Sequence, residues 1–70
     1  MTVYVLLREH QSEYGYVDTS VEGVFHEQSD AARRLGEERQ KALRDGLRLC
    51  DENDDGEWEV AWSIERHSLN

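Results

Sequence analysis

VYVLL, residues 3–7, is the stretch on which the fold turns. Five consecutive apolar residues stand between Thr2 and Arg8, rich in β-branched and aromatic types. The run is too short for an ordinary helix. It reads as a strand apolar on both faces, and such a strand belongs in the middle of a sheet. Val3, Val5 and Leu7 project to one side, Tyr4, Leu6 and Arg8 to the other.

Working outward, EHQSEYG (9–15) reads as a loose polar connection. A second strand is expected over 16–25, with Val17, Thr19, Val21 and Phe25 alternating against Tyr16, Asp18, Ser20 and Glu22. Gly23 interrupts the apolar side and suggests a bulge. Ser29 is the candidate N-cap of a helix, with Asp30 at the positive end of its dipole. Ala31, Ala32, Leu35, Ala42 and Leu43 form a narrow apolar stripe of small side chains. Arg39 projects from near the middle of that side, its stem suited to covering apolar surface while its guanidinium reaches water or a Glu.

The end of the helix has two readings. Gly46 followed by Leu47 fits a left-handed cap, leaving LRLC (47–50) as a short strand or packed coil. Equally, the helix could continue through Gly46 at about 1 kcal/mol relative to Ala. DENDDGE (51–57) is a loop closed by the Asp55-Gly56 turn pair. A last strand follows, with Trp58, Val60, Trp62 and Ile64 on its apolar face and Glu57, Glu59, Ala61, Ser63 and Glu65 on the other.

These parts predict an α+β fold. One helix packs on one face of an antiparallel sheet of three strands, or four if 47–50 joins it. The element order is β-β-α-β and the sheet order 2-1-3, with a right-handed crossover into the last strand. The uncovered face is expected to carry Tyr4, Leu6, Tyr16, Asp18, Glu22, Glu57, Glu59 and Glu65, an acidic surface around an aromatic-apolar centre.

Seventy residues make one domain, 1–70, near the lower limit for a self-sufficient core. Cys50 is the single cysteine, so an internal disulfide and a four-cysteine zinc site are excluded. The N-terminal residues lack a signal-peptide pattern and no run is long enough to span a membrane, which points to a bacterial-type cytoplasmic setting and no membrane contact. Net charge is −8. Residues 29–50 hold six of the eight basic side chains against four acids, leaving two bases and twelve acids elsewhere. Such a surface repels nucleic acid and attracts basic proteins.

Asp51, Asn53, Asp55 and Gly56 match the first positions of a calcium loop, with oxygen ligands at alternate places and a glycine at the turn. The twelfth position falls on Trp62, where a bidentate Glu belongs, so an ordinary acidic turn is the stronger reading. His10, His26, His67 and Cys50 are scattered without a catalytic or zinc signature. No phosphate-cradling glycine loop is present. A non-enzymatic, cofactor-free protein is expected.

VYVLLREH, VEGVFHEQSDAARR, RDGLRL and DDGEWEVAWSIE together resemble the β-β-α-β plan of small domains from bacterial and mobile-element genomes. In size, acidity and plan the chain is also similar to phage-borne anti-CRISPR proteins, notably type I-C inhibitors. That resemblance implies binding to the Cascade surveillance complex, its large subunit in particular, at sites meant for DNA, and the chain is expected to act as a monomer. Charge repeat is compatible with mimicry. Alternate residues on a strand lie about 6.6 Å apart, comparable to neighbouring phosphates, so Glu57 and Glu59 begin a row that Asp51, Glu52, Asp54 and Asp55 extend. With Tyr16, Asp18, Glu22 and Glu65 these are the candidate partner-binding residues. A regulatory or antitoxin-like interaction module is the alternative.

Overall fold

The computed structural model describes residues 1–12, 14–49 and 58–69. Three strands and a helix follow in the order β1 (Thr2–Gln11), β2 (Val17–Phe25), α1 (Gln28–Arg44) and β3 (Val60–Ser68). The sheet is antiparallel, ordered β2-β1-β3, with α1 on one face. VYVLL therefore lies in the central strand, as its two apolar faces require. Leu6, Leu49 and Val60 are fully buried, and Val3, Ala31 and Ala42 nearly so. Each buried aliphatic side chain of Leu or Val size contributes about 1.5–3 kcal/mol.

β1 runs longer than its apolar segment, because His10 and Gln11 still pair with Asp18 and Val17. The connection is consequently tighter than the expected loose loop. The Ser12 amide donates to the Tyr16 carbonyl at 2.8 Å and the Gly15 amide to the Ser12 carbonyl at 3.0 Å. Gly15 takes φ +86°, a conformation that favours glycine.

The bulge is present. Leu6 faces Gly23 and Leu7 faces Val21, which leaves Glu22 as the extra residue of β2. Gly23 is small for a local reason. A Cβ there would stand 2.9 Å from Cε2 of the Phe25 ring.

At the helix start the expected cap is corrected. α1 begins at Gln28, with Glu27 in the N-cap position in extended conformation and no side-chain cap bond. Ser29 lies inside the first turn. Strand β2 ends at Phe25, paired with Tyr4, and the chain has already turned into the helix by Glu27. Sheet register thus outweighs capping preference. At the other end the glycine reading holds. Gly46 has φ +80°, its amide donates to Leu43 O, and the Leu47 amide donates to Ala42 O. These are the two bonds of a Schellman motif, and Leu47 packs back against Ala42.

Residues beyond Gly46 leave the helix, and Leu49 forms a single parallel bridge to Val60. β3 starts at Val60 rather than Trp58 and continues through the polar Arg66-His67-Ser68 segment. Thr2, Val3 and Tyr4 take Ser68, His67 and Arg66 as partners, so pairing with β1 extends the strand past its apolar run.

α1 lies close on the sheet through its small residues. Ala31 and Ala42 are buried, and Leu35 and Arg39 are half-buried. Ala32 and Leu43, expected in the stripe, are exposed. Among the described residues no helix is long and apolar enough to cross a membrane.

Candidate protein-docking face

Directly opposed residues of an antiparallel pair project to the same side, so the register assigns every strand position. Arg8 opposes Trp62 and Leu6 opposes Ile64, while Tyr4 opposes Phe25. The Arg8 guanidinium sits 5.9 Å from the centroid of the Trp62 ring. Val60, on this side, clusters with Ala42 of α1, and Trp62 packs against the same cluster. The helix therefore roofs the Tyr4–Leu6–Arg8 side. This corrects the expected composition of the bare face, because Tyr4 and Leu6 lie beneath the helix.

The uncovered side carries Val3, Val5 and Leu7 in the centre. Val5 opposes Val24 and Glu65, Leu7 opposes Val21 and Ser63, and Glu9 opposes Thr19 and Ala61. Val17, Val21 and Val24 remain 47%, 62% and 60% exposed. Val3 opposes His67 and is itself buried. The face is an aliphatic stripe, not an aromatic one. Its rim is acidic, with Glu9, Glu65 and Glu59, which alternates with the roofed Val60. None of its strand positions is Lys or Arg.

The rim carboxylates are not equivalent. Glu59 Oε1 accepts from Arg48 Nε at 3.2 Å. Glu65 Oε2 lies 3.0 Å from Nε2 of His67. Among the described residues Glu9 forms no ion pair.

The other candidate positions divide. Asp18 opposes His10 and therefore points to the helix side, where it is exposed. Glu22 accepts from the Ser20 hydroxyl at 3.2 Å, which places it on that side too. Tyr16 is exposed just before β2. Asp51, Glu52, Asp54, Asp55 and Glu57, and with them the calcium candidates Asp51, Asn53 and Asp55, lie outside the described residues. Of the proposed acidic surface, the structure puts Glu59 and Glu65 on one face, well apart along the last strand, and separates Asp18 and Glu22 from them. Glu9 and the valines of β2 were missed. The signal for Glu9 was its odd position after Val3, Val5 and Leu7.

Between α1 and the sheet lies a half-open cavity of about 190 Å³, lined by Arg8, Glu38, Lys41, Ala42, Asp45, Leu47 and Trp62. Arg8 Nε and Trp62 Nε1 are buried beside it without hydrogen-bond partners among the described residues. Among the described residues no three His, Cys, Asp or Glu side chains are grouped to hold a metal ion. No protein-family model, curated protein or solved structure matches the chain.

Proposed function

We propose that the protein is a non-enzymatic, acidic binding protein that inhibits a nucleic-acid-handling complex. In its most concrete form it is an anti-CRISPR that blocks DNA engagement by a type I Cascade complex. One observation supports this reading. The unroofed sheet face combines an aliphatic stripe with a rim of Glu9, Glu59 and Glu65, and none of its described strand positions is Lys or Arg, with Arg48 paired to Glu59 at its edge, in a chain of net charge −8. A groove built to hold DNA is lined with cations. Such a rim would speed encounter with it, and the valines would add desolvated contact.

The test is an interference assay in cells carrying a type I-C system. Wild-type protein should protect an invading plasmid. The triple variant E9K/E59K/E65K should lose protection while keeping its melting temperature within a few degrees. Absence of protection by the wild-type protein rejects the anti-CRISPR assignment, and protection by the triple variant rejects the face.

The aliphatic centre favours a second reading, a regulatory or antitoxin-like module that docks on an apolar protein surface. Salt separates the two. Capture of a partner through charge weakens steeply between 0.1 and 0.5 M salt, roughly as the Debye length shrinks from ~10 Å toward a few Å. Capture through the valines persists.

A further inference from the structure

We propose that β2 is a docking edge for a strand of a basic partner protein, one that alternates aliphatic and basic residues. This rests on the binding-protein reading and deepens it by specifying the mode of contact.

In the order β2-β1-β3, β2 has β1 on one side and, among the described residues, no strand on the other. All five residues from Val17 to Val21 are exposed. An edge of this length is ordinarily blunted by lysine, proline, a bulge or other charged side chains. The bulge of β2 at Glu22 lies past the exposed stretch Val17–Val21, and residues 17–25 contain no lysine, proline or arginine. The opposite edge of the sheet is treated differently. There Leu49 bridges Val60, and the Arg48 carbonyl accepts the amides of Glu59 and Val60 at 2.8 and 3.2 Å.

The two sides of the edge differ chemically. Val17, Thr19 and Val21 continue the aliphatic stripe of the open face. Asp18, Ser20 and Glu22 lie on the other side, linked there by the Ser20–Glu22 hydrogen bond. An added strand places its own alternate residues beside each set. Aliphatic side chains meet the valines, and cationic ones meet Asp18 and Glu22. The same pattern turns away a second copy of this chain. In the antiparallel register centred on Ser20, Asp18 would oppose Glu22 of the other molecule. In every register β2 offers another β2 no cation.

The experiment uses the whole protein and three blocked peptides, (Lys-Val)4, (Glu-Val)4 and (Lys-Pro)4, the last having the charge of the first but no amide to donate at proline. Binding is followed by amide chemical shifts and hydrogen exchange. (Lys-Val)4 should shift the amides of residues 17–21 and protect those that point away from β1, and bind roughly tenfold more tightly than either control, two cross-strand charge pairs being reversed or pairing being blocked. The variant D18K/E22K should invert the preference toward (Glu-Val)4. Equal binding of (Lys-Pro)4, shifts centred away from β2, an unchanged preference in D18K/E22K, or no binding at millimolar peptide would each overturn the proposal. The open-face variant E9K/E59K/E65K should still bind (Lys-Val)4, which separates failure of the edge from failure of the inhibitor reading.

Discussion

Arg8 shows how one side chain can be placed at a net cost. Its guanidinium stacks near Trp62, a contact worth about 0.5–1 kcal/mol when partly exposed. Its buried Nε has no hydrogen-bond partner among the described residues, and an unsatisfied buried donor costs about 1–3 kcal/mol. The second figure exceeds the first, so R8M, which keeps an apolar stem over the indole, should leave stability unchanged or raise it by up to ~1 kcal/mol. Urea unfolding at constant m-value checks this. Gly46 behaves oppositely. At φ +80° an L-residue loses about 1–2 kcal/mol, so G46A should lower the melting temperature by roughly 4–8 °C per kcal/mol in a domain of this size. Gly15→Ala, at φ +86° in an exposed turn, should give a loss of similar size, whereas Gly36, inside α1 with open space at its Cβ, should gain about 1 kcal/mol as Ala.

At the level of elements, α1 approaches the sheet where Ala31 and Ala42 are buried. A42L would insert three carbons against Leu49 and Val60, and overpacking of that kind costs about 1–3 kcal/mol. A lowered urea midpoint measures it, and an unchanged one would mean that the adjoining cavity accepts the new side chain. Much of this architecture is legible in the residues. A run apolar on both sides identifies the central strand, Gly23 the bulge, and Gly46-Leu47 the helix stop. Side assignment is harder for the same reason that β1 is easy to find. With Val3, Val5 and Leu7 as apolar as Tyr4 and Leu6, hydropathy does not say which side the helix roofs. Only the pairing of Trp62 with Arg8, a contact distant in sequence, decides it. Ser29 misled for a related reason, since the helix start follows the sheet's hydrogen-bonding needs rather than local preference. Glu59 and Glu65 were legible as the outward residues of the last strand. Their ion-pair partners Arg48 and His67 come from the fold.

For the molecule as a whole, charge opposes compactness. A net charge of −8 on seventy residues repels itself, while the described surface pairs, such as Arg34–Glu38 at 3.0 Å, add only about 0.3–0.5 kcal/mol apiece. Self-repulsion outweighs them, so raising salt from 0.01 to 0.15 M should raise the melting temperature by scanning calorimetry. A fall would show that ion pairs dominate. The total to be defended is small, about 4–10 kcal/mol for a chain of this length. The position of β1 also has a kinetic meaning. Its first partner is the neighbouring β2, but its second arrives last, with Thr2 meeting Ser68. As the chain leaves the ribosome, the β1–β2 hairpin can close early, yet Leu6 and Val5 wait on their other flank for almost the entire polypeptide. Until then the nascent protein exposes the apolar β1 itself as a raw sheet edge. Its refolding should therefore be limited by a long-range closure, and translation stalled before residue 60 should leave an intermediate that chaperones recognise.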